Sequence, residues 1–143
     1  RFEYKLTDLG TTYSKQFPAG TILVTIAAVI GATAITEHSV YVTDSVVGVV
    51  PFDGMDIDYL ELFLRHQRQF LESKAATQTA QKNINLQVLR PLEVPCPPLS
   101  VQKAIAEEIL SLFKFTDKIT INIINIYSML NALINKIMEI NEK

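Results

Sequence analysis

Hydrophobic and polar positions divide the chain into three patterns. From Thr21 to Val50 the apolar residues come in short β-branched runs, Thr21 to Ile30, Ala34 to Ile35, Val40 to Val42 and Val46 to Val50, punctuated by Gly31, Gly48 and Gly54. Valine and isoleucine in runs of this length predict strands, so a small antiparallel or mixed sheet curled on itself is expected here. Ahead of it, Leu6 to Phe17 suits a turn with a short helix, closed by the turn signal Pro18-Ala19-Gly20. After Pro51-Phe52-Asp53-Gly54, the residues Ile57, Leu60, Phe63, Leu64, Phe70 and Leu71 recur at helical spacing. They predict an amphipathic helix from Asp58 to Glu72, with Asp56 or Asp58 as its N-cap.

The third pattern begins at a junction, Leu92-Glu93-Val94-Pro95-Cys96-Pro97-Pro98-Leu99-Ser100. Each proline lacks a donor and holds φ near −65°, so neither a helix nor a central strand can run through this stretch. Leu92 to Val94 reads as a last strand before it. Beyond it, Ile105, Ile109, Leu112, Thr116, Ile119, Ile123, Ile126, Leu130, Leu133, Ile137 and Ile140 alternate at spacings of four and three. That is a heptad seam with one polar break, at Thr116. With Ser100 as its cap, the helix runs to Glu142, about 64 Å at ~1.5 Å per residue. Phe113, Phe115, Ile124, Tyr127, Met129, Ile134 and Met138 widen the stripe. A single helix cannot bury its own seam, so a partner helix is required. The expected class is α+β, a small β-rich globular domain followed by one long coiled-coil helix. Residues 1–95 would be the domain, 96–101 the proline-rich junction and 102–143 the helix.

With 143 residues, 48% of them hydrophobic, the chain can bury a core and disorder is excluded for most of it. The ten-residue run from Thr21 is too short to cross a bilayer, and no charged leader precedes it, so neither membrane nor export is expected. The chain opens at Arg1 inside what reads as a folded pattern, as a fragment would. The lone Cys96 has no partner for a disulfide, which points to a reducing compartment, the cytoplasm.

A net charge of −2 argues against bulk electrostatic binding of nucleic acid. Charge is unevenly spread, however. Between Glu61 and Arg90 stand Arg65, Arg68, Lys74, Lys82 and Arg90 against Glu61 and Glu72, an excess of five minus two, or three.

No catalytic or metal-binding pattern stands out. The chain lacks a phosphate-cradling glycine loop, paired Cys or His ligands and a Gly-x-Ser-x-Gly elbow. His38 and His66 read as surface hydrogen-bonding groups, and Asp53, Asp56 and Asp58 as capping and turn residues. No metal and no cofactor is expected, and no enzyme activity. The polar stretch Ser73 to Asn83 carries no large apolar side chain and reads as a surface loop. Gln78, Gln81 and Asn83 match the major-groove edge of adenine, Lys74 and Lys82 can reach phosphates or guanine, and Thr77 and Thr79 suit phosphates or a thymine methyl. A flexible solvated loop has the same composition, so the residues alone leave both readings open.

The order of several short motifs resembles the DNA specificity subunit of type I restriction-modification systems. They are Leu9-Gly10, Phe17-Pro18-Ala19-Gly20-Thr21-Ile22-Leu23, Ile30-Gly31 with Ala34-Ile35, and Asp44-Ser45-Val46-Val47-Gly48-Val49-Val50-Pro51. Tyr59-Leu60, Gln81-Lys82-Asn83-Ile84, Leu89 and Val94-Pro95-Cys96-Pro97-Pro98-Leu99 with Gln102 and Ile105-Ala106 follow in register. The resemblance implies the later part of a target-recognition domain plus the following conserved helix. Such domains read the two parts of a split DNA site, and their helices pack antiparallel as a spacer. It also implies docking of methyltransferase subunits, which carry S-adenosylmethionine, and of a restriction and motor subunit in the full complex. The helix would pair with a second conserved helix from the same subunit or from a second copy.

Residues and resemblance together assign double-stranded DNA contact to Lys74, Thr77, Gln78, Thr79, Gln81, Lys82 and Asn83. Arg65 and Arg68 would add phosphate contacts, with Thr25, Thr33, Thr36 and His38 as a weaker second set. The helix-partner interface would comprise Ile105, Ile109, Leu112, Ile119, Ile123, Ile126, Leu130, Leu133, Ile137 and Ile140. Two other readings stay open, a coiled-coil protein-interaction module without DNA binding and the recognition domain of a type II restriction-modification enzyme.

Overall fold

A computed structural model describes residues 6–76 and 83–141, with 76 and 133–141 described by backbone alone. The fold is α+β. In chain order the elements are α1 (Asp8–Thr12), β1 (Lys15–Phe17), β2 (Ile22–Thr25), β3 (Thr33–Ile35), β4 (Val40–Val42), β5 (Val46–Val49), α2 (Ile57–His66), α3 (Arg68–Ala76), α4 (Leu86–Leu89) and α5 (Leu99–Asn141). The chain forms two compact units, residues 1–104 and 105–143.

Two antiparallel sheets build the first unit, one of order β3-β2-β5 and a ribbon of β1 and β4. Period-two alternation sets the faces of β2. Ile22 and Val24 are fully buried while Leu23 and Thr25 are half-buried. Ile22 pairs with Ile35 on one side and Val49 on the other, and this apolar row packs with Met55, Leu60 and Leu64 at the start of the helical half. At about 1.5–3 kcal/mol for each fully buried side chain of this size, Ile22 and its neighbours hold strands and helix together. Gly48, opposite Leu23, serves the other face. A Cβ there would stand 2.4 Å from the ring of buried Phe17 on β1, so the missing side chain is what lets the ribbon close on the sheet.

The long apolar run does not continue as a strand to Ile30. It leaves the sheet after Thr25, because the Thr25 hydroxyl accepts from the Ala32 amide and donates to the Val29 carbonyl, closing the loop on itself. Ala28 at the loop's tip has φ +59, a left-handed conformation that ends any ladder.

Asp56 caps α2, accepting from the Tyr59 amide at 3.0 Å. The expected single helix to Glu72 is two. Gln67 turns its amide onto the carbonyls of Phe63, Leu64 and Arg65, which tightens the last turn of α2 before α3 begins at Arg68. The expected loop from Ser73 is also corrected at its start. Residues 73–76 continue α3, and Ala75, 1% exposed, joins Ile30, Leu71 and Ile84 in a second core cluster. Small size made Ala75 look like loop material, whereas it fits a close helix-to-loop contact. Leu92 to Val94 forms no strand. Leu92 and Val94 pack on the first core cluster from an extended segment, following a turn in which the Leu92 amide donates to Leu89.

The first turn of α5 belongs to this unit. Ser100 is not its cap. The Pro98 carbonyl takes the first helical bonds, from Val101 and Gln102 at 2.8 and 3.1 Å, so Ser100 lies inside the first turn. Gln102 is fully buried, and its amide, which also has a long 3.8 Å contact from Nε2 to Cys96 Sγ, holds three backbone groups at once. Oε1 accepts from the Asp56 amide at 2.9 Å, and Nε2 donates to the carbonyls of Gly54 at 3.1 Å and Pro97 at 2.8 Å. Tyr59 adds a hydroxyl bond to the Pro95 carbonyl at 3.1 Å. Three prolines leave the junction too few amides for a ladder, and these side chains tie it to the domain.

Candidate nucleic-acid interface

The two arginines expected at phosphates are set on successive helices, each in an ion pair with a carboxylate one turn away. Arg65 places Nε and Nη2 at 3.0 and 2.8 Å from Glu61 Oε1. Glu61 is buried, with a side chain 5% exposed against 50% for Arg65, and it also accepts from the Thr33 hydroxyl of β3 at 2.5 Å. Arg65 is therefore the exposed end of a network that ties α2 to the sheet, and its guanidinium is oriented by the fold. Arg68 pairs with Glu72 at 2.9 Å with both side chains 47% exposed. Such a pair is worth about 0.2–1 kcal/mol, so a phosphate can displace the carboxylate at small cost. Its stem lies against the loop after β2. A Cβ on Gly31 would be 3.0 Å from both Arg68 Cα and Cγ.

Lys74 stands over the Phe70 ring at 5.2 Å, exposed on α3. Thr77, Gln78, Thr79, Gln81 and Lys82 lie outside the described residues. The positions flanking them are informative. Ala75 on one side and Ile84 on the other are buried in the same cluster, with Leu71 and Ile30. Asn83 is exposed and forms an antiparallel bridge with Ala27, and the Ile84 amide donates to Ile26 at 2.9 Å. Both flanks thus converge on the loop between β2 and β3.

Of the second set, three hydroxyls are occupied within the fold. Thr25 closes its own loop, Thr33 donates to Glu61, and Thr36, 7% exposed, accepts from the Thr21 amide and donates to Pro18 at 2.8 Å. His38 is exposed and lines an open groove of about 290 Å³ with Leu23, Ala34 and Val40, apart from the arginines in sequence and element. Among the described residues no group of His, Cys, Asp and Glu could hold a metal ion.

Sequence reasoning missed the loop from Ile26 to Gly31 and the buried pair Glu61 and Gln102. The loop was hidden because its apolar composition copies a strand. A polar residue at a helical core position was the available signal for the other two.

The second unit, by itself, is a helix with an uncovered apolar stripe. Leu112, Ile119, Ile123, Ile126 and Leu130 are exposed, as are Phe115, Ile121, Ile124 and Met129, and Ile105 is 37% exposed. Ile109 is half-buried, while the side chains of Leu133, Ile137 and Ile140 lie outside the described ones. Thr116 turns its hydroxyl back to the Leu112 carbonyl at 2.9 Å, leaving the seam without a polar demand at its one interruption. Among the described residues no helix is long and apolar enough to cross a membrane.

Solved structures share the fold, among them these two. One, from work on the structural basis of complex assembly and conformational transition of the type I R-M system, has a TM-score of 0.64 at 18% identity, covering 73% of this chain and 26% of that one. The other, the HsdS subunit from Thermoanaerobacter tengcongensis, has a TM-score of 0.58 at 19% identity, covering 69% of this chain and 23% of that one. The chain thus spans about a quarter of the length of the solved chains it matches. A family model for the type I restriction modification DNA specificity domain matches residues 3–138, taking in the strands, the junction and nearly all of α5. The chain belongs to the type I restriction-modification DNA specificity domain family.

Proposed function

We propose that this chain is the DNA-reading segment of a type I specificity subunit, with 1–95 contacting DNA, 96–101 as the junction and 102–143 as the spacer. The observation that carries the reading is the family match across 3–138, which takes in domain and helix together. It favours a type I subunit over a DNA-free interaction module or a type II enzyme. Double-stranded DNA would meet Arg68, Lys74 and Asn83 and the residues between the last two, with Arg65 at a phosphate. The apolar stripe of α5 would be covered by a second conserved helix in a coiled coil, from the same subunit or another copy, and by methyltransferase subunits. Restriction and motor functions would join in the full complex, in the cytoplasm. The chain itself would catalyse nothing, and S-adenosylmethionine would reside in the methyltransferase.

The test is co-purification of the full-length protein with a methyltransferase subunit, followed by sequencing of methylated sites. A single split target, altered or lost on Asn83→Ala and on Lys82→Ala, is the expected result. A complex that methylates without site preference, or an identical target in both variants, overturns the reading.

A further inference from the structure

Resting on that reading, the structure assigns a second sequence-reading element, the tip Ala28-Val29 of the β2–β3 loop, and the geometry points to the C5-methyl group of a thymine as what it reads. Position comes first. The loop is joined to the proposed DNA-contacting residues at both ends, since Ala27 bridges Asn83 and Gly31 packs on the stem of Arg68. The tip between them therefore shares a surface with one base-reading candidate and one phosphate-contacting candidate.

Rigidity comes second. The base of the loop is closed by the Thr25 amide on the Ala32 carbonyl at 3.0 Å and the Gly31 amide on the Thr25 carbonyl at 2.9 Å. Inside it the Thr25 hydroxyl holds the Ala32 amide and the Val29 carbonyl, and Ile30, 4% exposed, anchors the far side in the core. Within this frame Ala28 keeps a left-handed backbone, φ +59, which an L-residue holds only where its surroundings over-determine it. Such a conformation at a tip gives a fixed presentation.

Chemistry comes third. Ala28 is exposed, Val29 is 56% exposed, and neither side chain carries a polar atom. An apolar group held at a DNA surface cannot hydrogen-bond a base edge. The one apolar base feature in the major groove is the thymine methyl.

The experiment uses the full specificity subunit assembled with its methyltransferase subunits, after its target has been found by methylation sequencing. Equilibrium binding is measured on duplexes in which each thymine of the target is replaced singly by deoxyuridine, which removes only the methyl. For the unaltered complex, one replacement in the half-site is expected to weaken binding about four-fold, the worth of one buried methyl-sized group. Val29→Ala should weaken binding to the thymine duplex similarly and lose nothing further on that deoxyuridine duplex. Val29 is half-exposed, so the variant folds, and unchanged affinity for a non-target duplex confirms it. The inference is overturned if Val29→Ala binds the thymine target as the unaltered complex does, if every deoxyuridine penalty persists in the variant, or if the half-site holds no thymine. Those results leave the proposed function standing. A complex without any defined target overturns both.

Discussion

Replacing Gln102 with leucine removes one amide group and almost no volume, which makes it the sharpest probe of how the helix is joined to the domain. Three backbone partners lose their bonds together, besides the weak contact to Cys96 Sγ: the Asp56 amide, at 2.9 Å, and the carbonyls of Gly54 and Pro97, at 3.1 and 2.8 Å. A hydrogen bond contributes about 1 kcal/mol net, and a buried group left unpaired costs about 1–3 kcal/mol. Water can reach some of these part-buried atoms after the change, so Gln102→Leu should destabilise the first unit by about 2–4 kcal/mol. Gln102→Glu is the informative companion. Its carboxylate can still accept from Asp56, but it aims negative charge at two carbonyl oxygens, so at neutral pH it should cost more than leucine despite being closer in shape. The assay is urea unfolding of the whole chain followed by near-UV circular dichroism of tyrosine, because four of the five tyrosines precede Ala104 and one, Tyr59, bonds the junction itself. Far-UV signal would be dominated by α5. If both variants unfold within about 0.5 kcal/mol of the unaltered chain, or if leucine costs more than glutamate, the junction is not held by this amide.

Gly48→Ala places a methyl 2.4 Å from a rigid, buried ring, so the ribbon must shift, and urea unfolding should show a loss of about 1–3 kcal/mol. Arg68→Ala should leave stability unchanged to within about 0.5 kcal/mol, while DNA binding by the assembled complex weakens evenly across sequences and its salt slope falls by about 1. Arg65→Ala, in contrast, strips a buried carboxylate of its cation and should lower stability by about 1–3 kcal/mol in the same unfolding assay, less than for a fully buried pair because Arg65 is half-exposed. Ile123→Asp, at an exposed seam position, should leave the first unit's unfolding midpoint in place and abolish co-purification with the methyltransferase subunit.

The features legible in the sequence follow from local rules. Strand-forming runs at Val40 to Val42 and Val46 to Val50, a cap at Asp56 or Asp58, of which the fold uses Asp56, and a long helix after the prolines are each written in short-range spacing, turn chemistry and proline exclusion, though the helix starts at Leu99 and not from a Ser100 cap. The positions that misled are those where a long-range contact overrides a local preference. Ile26 to Ile30 has strand composition, yet a threonine hydroxyl at the loop's base and a bridge to Asn83 make it a fixed tip. Ala75 looks like a loop residue and is a core contact, because only a small side chain lets α3 approach Ile30 and Ile84. Gln102 looks like an ordinary polar residue on a helix and is the bond between junction and domain.

The sequence by itself determined the class of the protein, its division into a strand-rich domain and a long helix, and the need for something to cover that helix, since period, charge and proline are properties of neighbours along the chain. Tertiary structure alone decided which polar groups are spent inside the fold and which stay exposed. Thr25, Thr33, Thr36 and Glu61 each hold a partner seven to 28 residues away, some beside a nearer one, while the loop that carries exposed Val29 is joined to exposed Asn83 by a bridge between segments more than 50 residues apart. Whether a side chain is free depends on what the chain folds against it, and that is not encoded in the residue's own neighbourhood.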